Sequence, residues 1–241
     1  MEAPTPVCPA CGWSKPGARF CGACGAPLSV TAAQQIVQPP PAGGGLGVAL
    51  GCYFAALAGP LGVAVSGAGL GGVRVAGLAL LGLGVLAVLA TLRASLPTLV
   101  LPRASARGAA LAAGAVAAIL AAVQLLAAAA PALFRDELGA YREAGLGLAD
   151  AMVDAVVLAP LAEEALFRVV ILTALVNAMG ERSAVVVSAL LFATIHVSPL
   201  SFPHLAALGW VLARVRLASG SVWPCVLLHG AYNGALLLLE A

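Results

Sequence analysis

Glu163 and Glu164 stand side by side, with Arg168 following, inside an apolar run from about residue 146 to 178. At membrane depth an ionisable side chain costs on the order of 2.5–3.5 kcal/mol on insertion scales, so such residues are rare and usually functional. Read as a helix, Glu164 and Arg168 are an i, i+4 pair with the acid N-terminal, the favourable orientation for an ion pair. Glu163 points about 100° away and shares a face with Phe167. Arg168 can therefore neutralise Glu164 and leave Glu163 unpaired in a low-dielectric cavity, the condition of a general base. Two later stations carry complementary chemistry. One is Phe192-Ala193-Thr194-Ile195-His196 and the other is His229-Gly230-Ala231-Tyr232-Asn233. On a helix His229 and Asn233 share a face, and both side chains offer hydrogen-bond donors.

The elements that must position these groups are membrane helices. The chain has 241 residues, 62% of them hydrophobic and 9% charged, and a mean hydropathy of +1.05. A soluble domain carries about 25% charged residues and could not cover its surface with so few. Apolar runs fall at roughly 46–66, 75–92, 108–130, 147–178, 183–198, 203–217 and 221–239. Runs of about 20 residues match a bilayer core, and no period-two alternation suggests a β-barrel. The expected fold is all-α, a polytopic transmembrane bundle of about seven or eight helices. The fourth run is too long for one simple span. Either Pro160 kinks it or the stretch before is a separate interfacial or re-entrant piece. If each station sits in a helix, Glu163, His196, His229 and Asn233 lie at similar depths and can meet in one layer.

The N-terminus reads differently. Cys8-Pro9-Ala10-Cys11 and Cys21-Gly22-Ala23-Cys24 suit a tetrahedral structural Zn²⁺ site, with each pair forming a tight knuckle. Residues 1–28 resemble the short zinc ribbons at the N-termini of many prokaryotic membrane proteins. A four-thiolate site leaves no open position for catalysis and needs a reducing compartment, which places the N-terminus in the cytoplasm. Residues 29–45, with Pro39-Pro40-Pro41 and Gly43-Gly44-Gly45, form a flexible linker. Residues 46–241 are the membrane domain. No apolar signal-peptide core precedes Leu46. With an inner N-terminus, Arg93, Arg103, Arg107, Arg182, Arg214 and Arg216 lie inside, against Arg74, Arg135 and Arg142 outside. This agrees independently with the positive-inside rule. The expected location is the cell membrane. Nothing suggests a nucleic-acid partner. Cys52 and Cys225 read as small core residues, His204 beside Pro203 as a structural or interfacial residue at a loop, and Asp154 as an interfacial or capping group.

Taken together, Glu-Glu-x-x-x-Arg, then Phe-x-x-x-His, then His-x-x-x-Asn, in that order, resemble the motifs of the CPBP family of intramembrane proteases. That family includes type II CAAX prenyl endopeptidases and bacterial Abi proteins. Gly220-Ser221-Val222-Trp223 ahead of His229 also resembles the family's approach to its last motif. The resemblance covers roughly residues 147–238. It implies a glutamate-dependent endopeptidase acting on membrane-associated peptide or protein substrates. By that resemblance Glu163 and His196 activate a water, His229 and Asn233 hold the oxyanion, and Glu164 and Arg168 order the site. The family has also been described as metalloproteases. Glu163 with two histidines could bind Zn²⁺, but no His-Glu-x-x-His pair is present and Arg168 competes with a cation, so a catalytic metal is not expected.

Two other classes use the same residues. An ion-coupled transporter would use the carboxylates as relays, but the chain shows no pair of matching halves. A non-catalytic scaffold would sit in membrane lipid and dock a protein partner through the ribbon, and its phenotype would depend on the cysteines and not on Glu163.

Overall fold

A computed structural model describes residues 45–67, 69–90, 106–130 and 137–241. Cys8, Cys11, Cys21, Cys24, the ribbon and nearly all of the linker lie outside the described residues, as do Arg93, Arg103 and Arg135. Gly45, assigned to the linker from sequence, already opens a helix.

Eight helices and no strand occur among the described residues, as expected for an all-α bundle. They are α1 (Gly45–Ser66), α2 (Leu70–Ala90), α3 (Ala106–Ala129), α4 (Glu137–Glu143), α5 (148–179), α6 (Glu181–Thr194), α7 (Phe202–Ser219) and α8 (Trp223–Glu240). The stretches Gly45–Ser66 and Gly108–Ala129 are long and apolar enough to cross a membrane, and Leu70–Leu86 and Trp223–Leu239 are shorter apolar helices. The solubility pattern is inverted. Large apolar side chains such as Phe54, Leu111, Leu125 and Leu227 face outward, while Glu164, Arg168, Ser188 and His229 are buried. This is the distribution expected where the surrounding solvent is lipid and polar groups must find partners inside.

Helix α5 is the axis of the bundle. It packs against α1, α2, α4, α6, α7 and α8, and α3 lies against α7 and α8. The long fourth run is not split into a separate piece before Pro160. It is one continuous helix in which π-helical turns at Val153–Leu158 and Ala165–Ile171 bracket an α-helical segment, Ala159–Glu164. Pro160 sits at the start of that segment. Proline lacks an N–H and its ring crowds the preceding turn, and the wider turn before it accommodates both. Single π-turns recur at functional sites, and here they flank Glu163 and Glu164. Gly180, at φ +77°, ends α5 and begins α6, a backbone conformation open to glycine without cost.

Two placements differ from the sequence reading. His204 lies in the first turn of α7 and not in a loop, because Pro203 is tolerated at a helix start; its ring sits 6.5 Å from that of Tyr232. Asp154 caps nothing. Its carboxylate pairs with Arg74 of α2 at 2.8 Å and accepts from the Tyr141 hydroxyl of α4 at 3.1 Å, joining three helices.

Helices α6 and α7 pack closely at Gly209, where an added Cβ would lie 3.1 Å from both the Ala189 Cα and the Phe192 ring. Gly209→Val is therefore expected to push α7 away from Phe192, lower the unfolding midpoint, and cost roughly 1–3 kcal/mol as overpacking does. Thermal unfolding in detergent checks it.

Candidate active site

The site forms where α5, the end of α6 and the first half of α8 meet. On α5, Glu164 and Arg168 are fully buried, and the Arg168 Nε donates to Glu164 Oε2 at 2.8 Å. The Arg168 Nη1 reaches the Ser188 hydroxyl of α6 at 3.4 Å. Its guanidinium also lies over the Phe192 ring, 4.9 Å from the centroid, a cation–π contact worth about 0.5–2 kcal/mol. From α8, His229 brings Nδ1 to 3.0 Å from Glu164 Oε1. A carboxylate paired with arginine accepts only, so Nδ1 carries the proton and donates. Glu164 thus joins the last motif to the first, which fixes the imidazole of His229 and leaves its Nε2 pointing away from the pair.

Glu163 behaves differently. It is buried, and its Oε2 has no hydrogen-bond partner. His196 Nε2 lies 3.8 Å from that oxygen and His229 Nε2 lies 3.9 Å from it. These separations are longer than a direct hydrogen bond. A buried carboxylate oxygen without a hydrogen bond is costly, and this one faces two imidazoles.

His196 departs from the helix assumed for it. Helix α6 ends at Thr194, and His196 lies in the turn that follows. Its Nδ1 is 3.0 Å from the Phe192 carbonyl, one of the carbonyls that a helix end leaves unpaired. The carbonyl accepts, so Nδ1 is the donor, and Nε2 is the nitrogen turned toward Glu163. The next residue, Val197, has φ +49°, a conformation costly for a β-branched side chain. Pro199 prevents the helix from running on. Phe192 is the aromatic hub of the site. Its ring packs edge-on against Phe167, His196 and His229 at centroid distances of 5.3, 5.2 and 5.5 Å.

The structure therefore brings Glu163, Glu164, Arg168, His196 and His229 together. Asn233 is one turn further along α8 and gives its amide to the Ala155 carbonyl at 2.8 Å. One amide hydrogen remains for another acceptor. Ser188 was not singled out from sequence, where a lone serine in an apolar run carries no signal. The same holds for Tyr53 of α1, whose hydroxyl bonds Thr194 at 2.6 Å beside the His196 turn. An apolar groove of about 280 Å³ runs along the α5–α8 seam, lined by Val156, Val157 and Leu161 on one side and Val226, Leu227 and Gly230 on the other.

No curated protein and no solved structure matches the chain. Residues 146–235 match the family model described as Type II CAAX prenyl endopeptidase Rce1-like. That interval begins just before α5 and ends just after Asn233, so it contains every side chain of the site. Over residues 146–235 the chain is therefore similar to the type II CAAX prenyl endopeptidase Rce1-like family.

Proposed function

We propose that this protein is a glutamate-type intramembrane endopeptidase in which Glu163 and His196 activate a water for attack on a peptide carbonyl. The observation that carries this reading is the buried, unpartnered Glu163 Oε2, faced by the Nε2 atoms of His196 and His229 at 3.8 and 3.9 Å. A water between Glu163 and neutral His196 meets two acceptors and no donor, which polarises it toward hydroxide and lets either group take its proton. His229, with Nδ1 on Glu164, supplies the oxyanion donor from Nε2. That role requires a proton on both nitrogens, and Glu164 and Glu163 balance the resulting cation. Asn233 has one amide hydrogen left with which to assist, as the family resemblance implies. Glu164 and Arg168 hold the imidazole in place.

No catalytic metal enters this reading, so cleavage is expected to survive strong chelators. The substrates are membrane-associated proteins, and CAAX-type substrates are the first class to test because the family description names them. The α5–α8 groove suits an aliphatic chain from lipid or substrate. The cysteines Cys8, Cys11, Cys21 and Cys24 are proposed to hold structural zinc in a cytoplasmic ribbon that recruits a protein partner, with the remainder embedded in the cell membrane.

The experiment is a comparison of membrane proteomes from cells expressing wild type or Glu163→Ala, with new N-termini labelled chemically. Termini present only with wild type support the reading and identify substrates. Identical sets of termini would exclude it.

A further inference from the structure

Helices α5 and α8 meet at a joint built around a missing hydrogen bond. In the first π-turn the Ala159 N–H bonds the Asp154 carbonyl, five residues back. In that register the next N–H belongs to residue 160 and its acceptor is the Ala155 carbonyl. Residue 160 is proline and has no N–H. The acceptor is nevertheless satisfied, because the Asn233 Nδ2 of α8 donates to it at 2.8 Å. One turn earlier on α8, Gly230 lies so close to α5 that an added Cβ would sit 2.6 Å from the Val156 carbonyl. An unpaired carbonyl away from water is costly, which gives this bond its strength as an anchor. His229 stands next to Gly230 and one turn from Asn233, so whatever sets the register of α8 at this joint also sets the reach of His229 toward Glu163 and Glu164.

We propose that Asn233 is a positioning residue that replaces the N–H absent at Pro160 and, with Gly230, locks α8 onto α5 so that His229 is held against the two glutamates. The inference rests on the proteolytic reading for its consequence in activity, but the joint itself is testable without any activity. The Asn233 side chain acts through His229, and Pro160 acts through Asn233. Restoring a backbone donor with Pro160→Ala gives the Ala155 carbonyl an intrahelical partner, which competes with Asn233 and releases α8.

The test is a double-mutant cycle of Pro160→Ala, Asn233→Ala and the pair, with Glu163→Gln as the control for the reaction. Thermal unfolding of the four purified full-length proteins of the cycle in detergent reads the joint alone. The expected result is coupling: Asn233→Ala lowers the midpoint when Pro160 is present and does so much less when Pro160→Ala has already been made. Equal shifts in both backgrounds would overturn the joint. In isolated membranes, the yield of Glu163-dependent new N-termini, measured across about pH 5 to 9, reads positioning. Pro160→Ala, although it adds no group to the site, is expected to lower the yield by about 10-fold and Asn233→Ala by about 10- to 100-fold, the scale of a displacement near 1 Å. Both are expected to change the pH profile of the yield, because both move His229 relative to Glu163 and Glu164. Wild-type yield and profile in Pro160→Ala, with a loss confined to Asn233→Ala, would overturn positioning and leave Asn233 a direct oxyanion donor. Unchanged termini in Glu163→Gln would instead remove the proteolytic reading, and the unfolding cycle would still decide the joint.

Discussion

Arg168→Met is expected to destabilise the protein by about 3–5 kcal/mol, the usual cost of leaving one partner of a buried ion pair uncompensated. Arg168 and Glu164 are both fully buried, and their Nε–Oε2 bond is 2.8 Å long. Without the guanidinium the Glu164 carboxylate keeps only His229. It must then either take up a proton or draw His229 out of register with Glu163. The cation–π contact with Phe192 and the bond to Ser188 are lost as well. The double replacement Glu164→Leu with Arg168→Met removes both charges and is expected to recover much of the loss, because an apolar pair of similar volume is often no worse than a buried salt bridge. Unfolding in detergent measures both. A single variant as stable as wild type would mean that the pair does not hold the site together.

His196→Ala is expected to separate activity from stability. Its side chain is 28% exposed and makes one structural bond, to the Phe192 carbonyl. Losing that bond should cost about 1 kcal/mol. On the proposed role, in which His196 and Glu163 together activate water, its loss should lower cleavage about 10²- to 10⁴-fold. Initial rates in liposomes and unfolding midpoints on the same preparation check the two halves. A large fall in stability with proportional loss of activity would make His196 a structural cap and nothing more.

Much of this site is legible in the sequence because charge in an apolar run is conspicuous. Glu163, Glu164 and Arg168 declare themselves by their cost, and the division between a paired and an unpaired glutamate follows from helical spacing alone. The structure adds what spacing cannot contain. His196 lies past the end of α6 because Val197 and Pro199 end the helix, a local event that a four-residue spacing conceals. Pro160 reads as a kink or as the edge of a separate piece; α5 runs through it with a widened turn, and the partner for the stranded Ala155 carbonyl comes from Asn233, far along the chain. Asp154 reads as an interfacial group because neither Arg74 nor Tyr141 is near it in sequence. Each of these features depends on which helices become neighbours, and periodicity within one helix carries no information about that.

The central claim is that Glu163 is the base that activates water. It is tested most directly by reconstituting wild type and Glu163→Gln in liposomes with a quenched peptide ending in a farnesylated CAAX sequence, or with a membrane protein identified by N-terminal labelling. Glutamine preserves the shape of the side chain, and Glu163 makes no hydrogen bond through Oε2 to lose. The expected result is an unfolding midpoint close to that of wild type and cleavage reduced about 10²- to 10⁴-fold. Cleavage by Glu163→Gln at the wild-type rate would contradict the account.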